Sequence, residues 1–488
     1  MIDRYLHIDF VTQRSLQEQL REKLVDAILG GLFPATERLP SCRQLAIQLH
    51  ISRNTVSIVY EGLLRDGYLV SRPRSGYYLH PDYHDTCPDK PHQNISAEPI
   101  HAPDWSCRFK LTPSNLSMVT KPARWMDYPY PFVYGQPNTQ LFPISQWRSI
   151  AQRLTDAPRV EDWLYDDIDR DVPLLVQQII QRVLPKRGIV AHADEILVTL
   201  GTQNALSLIA QLLLNTNTSI GVENPVFREA ANVFALQGSQ IITHDLDSEG
   251  IRLDKRTAAC DYLYVTPGHQ SPTGIRMSDA RRDQLLEHAC QHDQIIIEDD
   301  YDSDIHFDPR PHAALKARDS DQRIIYVSSL SKALTPGMRL GYLVAPAELI
   351  EELRALRRLS YRHPPTPIQH QMAHFLAQGY YDRYLKTYRQ DSMQRWQRMN
   401  DALNCWLPEC PRAAGSEHAN AFWLELPSGI GIDQLAWRAA QMGVLIEPGR
   451  AHFWGDPAPD NFLRLGFHSI AKERIEEGIQ RLAMALYP

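Results

Sequence analysis

The stretch 329–341, Ser-Leu-Ser-Lys-Ala-Leu-Thr-Pro-Gly-Met-Arg-Leu-Gly, decides how the larger part of this chain is read. It follows directly on an apolar run, Ile324–Val327, that predicts a buried strand. A buried lysine beside another cation loses proton affinity, so Lys332 can attack an aldehyde to form a Schiff base. Ser329 offers a hydroxyl and Arg339 a charged fork, and both suit one phosphate if the chain folds back. Upstream, Ile295–Ile297 leads into Glu298-Asp299-Asp300-Tyr301. A carboxylate at a strand end can keep a ring nitrogen protonated. Tyr301, two residues on, points the same way and suits a phenolic oxygen. Further upstream, Gly201-Thr202-Gln203 joins a predicted strand to a predicted helix, whose free N–H groups favour a phosphate. Phe227, in Glu223-Asn-Pro-Val-Phe227, suits stacking on a ring, although core packing is the commoner use of such a residue. Ser-x-Ser-Lys alone fits a surface loop, and Asp-Asp-Tyr alone fits a strand exit. The ordered set points instead to a site for a phosphorylated ring aldehyde.

Short apolar runs recur around these motifs at Ile196–Leu200, Ser219–Val222, Tyr262–Val265 and Leu340–Val344, with helical patterns at Thr202–Leu214 and Asp279–Gln291. Such alternation predicts a mostly parallel sheet covered by helices on both faces, with ligands at the carboxyl ends of the strands. In this order the pieces resemble the fold-type I, class I/II aminotransferases across roughly residues 132–488. The resemblance implies a pyridoxal 5′-phosphate-dependent transferase fold with a large lobe over about 170–350. It adds a smaller C-terminal α+β lobe over about 351–488, with an N-terminal arm. It makes Lys332 the Schiff-base lysine, pairs Asp299 with the pyridine nitrogen and Tyr301 with the phenolic oxygen, and assigns Thr202, Gln203, Ser329 and Arg339 to the phosphate. It also makes Arg464, in Phe462-Leu-Arg-Leu-Gly-Phe467, a clamp for a substrate carboxylate, for which an ordinary salt bridge is the alternative. Tyr165 would reach the phosphate of a neighbouring subunit, which implies a homodimer. Two positions depart from the family pattern: Ser271 stands where an asparagine is common, and Arg170 where glycine is common. Both argue against efficient turnover.

The first 80 residues read differently. Leu16, Leu20, Leu24 and Ile28 form one apolar helical face that ends at Gly30-Gly31. Ser41 and Ser52 are positioned to cap two further helices. Tyr68–Ser71 and Gly76–Leu79 predict a small hairpin around Arg72-Pro-Arg-Ser75. Helix, turn, helix and basic hairpin predict a winged helix-turn-helix. Arg53, Asn54 and Thr55 would reach base edges from the start of the second helix of the motif. Ser41, Arg43, Arg72, Arg74 and Ser75 suit phosphate contacts, which position without specifying. The run 40–79 resembles the GntR-type winged helix, and the resemblance implies DNA contacts from Arg43, Ser52, Arg53, Asn54, Thr55, Ser75 and Gly76. Arg74 and Ala35 stand where that pattern often has glycine.

Between the two parts, residues 81–131 are dense in proline and histidine and read as a linker. A winged helix of the GntR type joined to an aminotransferase-like domain resembles the MocR/GabR group of transcription regulators. The resemblance implies promoter DNA, an amino-acid or amine effector or the cofactor itself as signal, and a head-to-tail homodimer. The alternative is an active aminotransferase with an accessory DNA-binding domain, and weak or partial transamination is compatible with both. The net charge of −7 argues against a chain that coats nucleic acid throughout, yet allows a small reader with a local basic face. The charged start lacks a secretory signal, no apolar run spans a bilayer, and the 7 scattered cysteines suit a reducing cytoplasm. The histidines show no metal-ligand spacing, so no metal is expected.

Overall fold

The structure, a computed structural model, describes residues 10–11, 14–33, 37–83, 103–133, 138–166, 169–302, 304–305 and 312–487. Ala35 and the proline- and histidine-bearing run from His84 to His101 lie outside the described residues. The chain divides into two compact units, Met1–Phe109 and Lys110–Pro488.

The first unit packs the helices Leu16–Leu29, Cys42–Gln48 and Arg53–Arg65 against the antiparallel pair Leu69–Arg72 and Gly76–Leu79. The fourfold-spaced Leu20, Leu24 and Ile28 are buried with Leu45, Val56, Tyr60, Leu63, Leu69 and Leu79, one small core drawn from every element. The two serines act as the caps that their positions predict. Ser41 accepts from the Gln44 N–H within a capping box, and Ser52 accepts from the Thr55 N–H at 3.0 Å. A turn between Arg72 and Gly76 places Arg74 at φ 62° and Gly76 at φ 116°. A left-handed position suits glycine, which explains why glycine is common at position 74 and marks arginine there as strained.

The second unit is built on an eight-stranded sheet. Its order is Ile196–Thr199, Gly341–Val344, Ile324–Ser329, Ile295–Asp300, Tyr262–Val265, Ser219–Asn224, Gln240–Asp247 and Gly250–Ile251. The central strands are parallel; Gly341–Val344 runs against both of its neighbours, and Gly250–Ile251 against Gln240–Asp247. Near-continuous apolar runs, such as Ile324–Val327 and Ile296–Ile297, are buried on both faces, as strands covered by helices require. Thr202–Leu213 and Asp279–Gln291 are helices, each within a residue of its predicted span. Gly341 serves a close approach: a Cβ there would lie 2.8 Å from the Gly201 Cα. The two glycines thereby let the loop at 201 close against the strand that follows Arg339.

A smaller lobe follows. The antiparallel strands Ala421–Glu425, Phe462–Gly466 and Glu447–Pro448 are packed by the long helix Tyr380–Trp406 and by Ile432–Gln441 and Ile475–Leu486. The pair Tyr130–Pro131, from early in the chain, adds to this lobe by pairing with Val444–Leu445. Ser117, in the stretch before it, is tied to the large lobe through its carbonyl, which accepts from Asn232 Nδ2 at 2.9 Å.

Candidate functional site

Strand geometry alone sorts the acidic run at the end of Ile295–Asp300. Successive side chains point to opposite faces. Glu298 accepts from the Leu315 and Lys316 N–H groups at 2.7 and 2.8 Å, and Asp300 bonds Arg187 Nε at 2.7 Å and the Tyr326 hydroxyl at 2.8 Å. Both are tied to the body of the domain on the face away from the cavity, although the Asp300 Oδ1 is also buried without a hydrogen-bond partner. Asp299, between them, faces the other way and lines a cavity of about 240 Å³. Its Oδ2 accepts from the Tyr264 hydroxyl at 2.8 Å, while its Oδ1 is buried without a partner. Burial pushes its carboxyl up to about 7, against the Tyr264 bond and the nearby Lys332, which favour the ionised form.

The same cavity is lined by Gly201, Thr202, Phe227, Ser271, Tyr301, Ser329, Lys332, Arg339 and Arg464. Burial draws the Lys332 ammonium down to about 8, and Arg464 acts in the same direction, while Asp302 and Asp299 oppose it. Its Nζ lies 3.6 Å from the centre of the Tyr301 ring. Ser329 Oγ accepts from the Ser331 and Lys332 N–H groups at 3.2 Å each, which fixes the turn that presents the lysine. Arg339, at φ 50°, turns its guanidinium toward the loop at 201. It donates to the Leu200 carbonyl at 3.2 Å, and a Cβ on Gly201 would come within 3.2 Å of it. A helix start, a hydroxyl and a guanidinium therefore converge at one end of the cavity, with a lysine and a bare carboxylate oxygen further in.

Three expected residues stand elsewhere or differently. Gln203 does not line the cavity; its amide donates to the Glu229 carbonyl at 3.4 Å. Tyr165 is 74% exposed and is also absent from the lining. Arg464 lines the cavity, but its NH1 contacts both oxygens of Glu447, at 3.1 and 3.3 Å, the residue directly opposite it across the strand pair. Glu447 Oε1 is also 2.9 Å from His452 Nε2. Ser271 lines the cavity, and its N–H donates to Thr266 Oγ1 at 3.1 Å. Phe227 is half-buried; it lines the cavity and packs on the apolar core behind it.

Sequence reasoning missed Lys121, Glu229, Glu447 and His452, all of which line the cavity. Glu447 sits in Glu-Pro-Gly-Arg, a strand end that offers a faint signal. Lys121 sits in the proline-rich stretch read as linker, where no periodicity marks it. Sequence reasoning also missed the buried pair His269 and Asp302, whose Nδ1 and Oδ2 are 2.9 Å apart.

In the first unit, Arg43, Ser52, Arg53 and Asn54 are exposed, and Thr55 is half-buried with its hydroxyl 2.9 Å from that of Ser52. On the wing, Arg72 stacks over the Tyr78 ring at 4.3 Å, and Ser75 Oγ lies 2.6 Å from the Tyr78 hydroxyl. Ser41, Arg74 and Gly76 are exposed.

A winged helix followed by an aminotransferase-type body defines a class of DNA-binding regulators. Residues 168–482 match the aminotransferase class I and II family, and residues 16–79 match the gntR family of bacterial regulatory proteins. The HTH-type transcriptional regulator TauR of Rhodobacter capsulatus is 36% identical over 97% of both chains. The probable rhizopine catabolism regulatory protein MocR of Rhizobium meliloti is 30% identical over 96% of this chain and 93% of its own. Among solved structures, LysN, the α-aminoadipate aminotransferase of Thermus thermophilus complexed with N-(5′-phosphopyridoxyl)-L-leucine, superposes with a TM-score of 0.69. It is 27% identical, and the match covers 78% of this chain and 98% of LysN. The chain belongs to the MocR-type transcriptional regulators, which join a GntR winged helix to an aminotransferase class I and II domain. No helix among the described residues is long and apolar enough to cross a membrane.

Proposed function

We propose that this regulator holds pyridoxal 5′-phosphate in the cavity around Lys332 and uses it to sense a small amine or amino acid, with the response read out at promoter DNA. The donor set fits the group. The bare buried Oδ1 of Asp299 and its raised carboxyl call for a cationic hydrogen-bond donor, which a protonated pyridine nitrogen provides. The helix start at Thr202, with Ser329 and Arg339, suits a phosphate. Lys332, held near 8, keeps an appreciable neutral fraction at neutral pH, as carbonyl chemistry requires. When bound, the cofactor supplies an aldehyde carbon that exchanges between Lys332 and an incoming amine. Tyr301, beside the lysine, suits the phenolic oxygen.

The observation that carries this reading is the convergence, in one cavity, of a lysine with a lowered proton affinity and a carboxylate with a bare oxygen, on the chain of a DNA reader. The regulatory role is favoured over efficient transamination by two features of the same cavity. Arg464 is already met by Glu447 rather than open for a substrate acid, and Ser271 is shorter than the asparagine of the active enzymes. Exposed Leu164 and Tyr165 suit a neighbouring subunit, and a head-to-tail homodimer is part of this proposal, as is a cytoplasmic setting. The test is reduction of the cofactor-loaded protein with borohydride, followed by peptide mapping. A pyridoxyl group is expected on Lys332, and Lys332→Ala should abolish it along with the visible absorption band. Rapid multiple turnover with amino acids, without sequence-selective DNA binding, would reverse the assignment in favour of an enzyme.

A further inference from the structure

Lys332 stands between two cavities. With Tyr301 and Arg464 it lines the large one described above and also a smaller one of about 40 Å³, whose other walls include His269, Asn420 and His468. That volume takes an ammonium group or a water or two, and is too small for an amino acid. Behind the wall lies the buried Asp302. Its Oδ2 is met twice, by His269 Nδ1 at 2.9 Å and by Asn420 Nδ2 at 2.5 Å. The three residues come from separate parts of the body. Asp302 follows the strand Ile295–Asp300, His269 follows Tyr262–Val265, and Asn420 precedes Ala421–Glu425 of the smaller lobe. A carboxylate fixed from both lobes is costly to bury, and none of the cofactor contacts described above uses it.

Amine exchange gives such a carboxylate a task. An incoming amine arrives as an ammonium. The nitrogen bonded to the aldehyde carbon carries one proton and one positive charge before the exchange and after it. In net terms the incoming nitrogen therefore passes two protons to the lysine nitrogen, takes over the bond to the aldehyde carbon, and leaves the lysine as an ammonium. Atoms and charge balance with no further reagent, but the site gains one positive charge, on a side chain whose burial disfavours it. Burial weakens the hold of Lys332 on its proton and Arg464 adds to that, while Asp302 opposes it more strongly than Asp299 does. His468, on the wall of the small cavity, is pushed down to about 3, mainly by burial, so its ring adds no competing charge near neutrality.

We propose that the small cavity beside His269, Asp302 and Asn420 receives the Lys332 ammonium when an amine takes the lysine's place, with Asp302 as its counter-ion. This rests on reading the large cavity as the pyridoxal 5′-phosphate site. It makes Asp302 a positioning residue that sets how readily the lysine gives way to any primary amine, whatever else that amine carries.

The experiment loads the full-length protein with pyridoxal 5′-phosphate, adds methylamine and reduces with borohydride. The phosphopyridoxyl label is then divided between the Lys332 peptide and released phosphopyridoxyl-methylamine. Asparagine at 302 keeps an oxygen for His269 and Asn420 and removes only the charge. In Asp302→Asn the methylamine concentration that moves half of the label should rise tenfold or more, while without methylamine the label stays on Lys332. Damage to the cavity acts the other way, because it loosens the lysine and the cofactor together. A midpoint that is unchanged or lower, or a loss of label from Lys332 before methylamine is added, overturns the proposal. If Asp302→Asn does not fold, crystals of the loaded wild type soaked in methylamine decide: the freed Lys332 Nζ is expected within hydrogen-bonding distance of Asp302, and a lysine that turns to Asp299 or into the large cavity overturns the proposal. A wild type with no label on Lys332 in the absence of methylamine sinks the cofactor reading as well, so the two failures are told apart.

Discussion

The two units place their chemistry in opposite ways. In the winged helix the candidate DNA-contacting side chains are near neighbours in sequence, sit at the exposed starts of two helices and on one hairpin, and are positioned by local caps and turns. In the body the residues that line the candidate cofactor cavity come from positions as far apart as Lys121, Gly201, Asp299, Lys332 and Arg464, several of them at the ends of strands. Exposed charges are solvated and cost the fold little. Buried ones are held against their own desolvation, so function and stability are coupled in the body and nearly independent in the reader. Single substitutions in each unit can break that contrast or sharpen it.

The largest effect is expected at Asp299. Its carboxyl stands at about 7 in the folded chain, mainly through burial, against an ordinary value of 3.8. Between about pH 4 and pH 7 the folded chain holds a proton that the unfolded chain releases. Stability of the cofactor-free protein therefore falls as pH rises through that window, and the deficit is complete above it, on the order of 4 kcal/mol. Asparagine keeps an acceptor for the Tyr264 hydroxyl and carries no charge. Asp299→Asn should raise the melting temperature of the cofactor-free body at pH 8, with the gain shrinking toward pH 4. If Asp299 is the anionic partner of the pyridine nitrogen, the same substitution should weaken retention of the cofactor by tenfold or more. A variant that melts lower than wild type at pH 8 would show that Asp299 is structural.

Arg53 should behave in the reverse way. It is the exposed first residue of its helix, so Arg53→Ala should leave the melting temperature almost unchanged. If the side chain reads a base, specific DNA binding should weaken by about 1–3 kcal/mol and discrimination at that position should relax. A gel-shift series on operator and scrambled duplexes decides it. Equal loss on both duplexes would make Arg53 a phosphate contact, and no loss would remove it from the interface.

The same contrast explains what was legible in the sequence. The capping serines, the hairpin and the order of the strands around Lys332 rest on local pattern, and the structure places them within one to three residues of expectation. Asp299 was singled out through the family resemblance, and the strand's period of two explains why it, rather than Glu298 or Asp300, faces the cavity. Glu447 was not, because its pairing with Arg464 depends on the register of two strands that no local pattern reveals. Lys121 was not, because a proline-rich stretch carries no periodicity, and its placement depends on contacts such as the Asn232–Ser117 bond, made more than a hundred residues along the chain. The strand Gln240–Asp247 was missed for a related reason: its polar, half-buried pattern lacks the apolar run that marks its neighbours.

The smallest effect lies where the two principles meet within the reader itself. Arg74 is exposed, so its charge is cheap, but its backbone is left-handed, so its residue type is not. Glycine would relieve a conformation that costs an L-residue about 1–2 kcal/mol, and would return part of that through the greater freedom of the unfolded chain, roughly 0.5–1 kcal/mol. Arg74→Gly should therefore stabilise the winged helix by at most about 1.5 kcal/mol. If the side chain meets a phosphate, the slope of log affinity against log salt should flatten by about one, with sequence preference unchanged. A stability gain with an unchanged slope would mean that the strain at position 74 is not retained for DNA contact. A flattened slope would mean that it is, and that even the exposed reader gives up a little stability where a charge must be aimed.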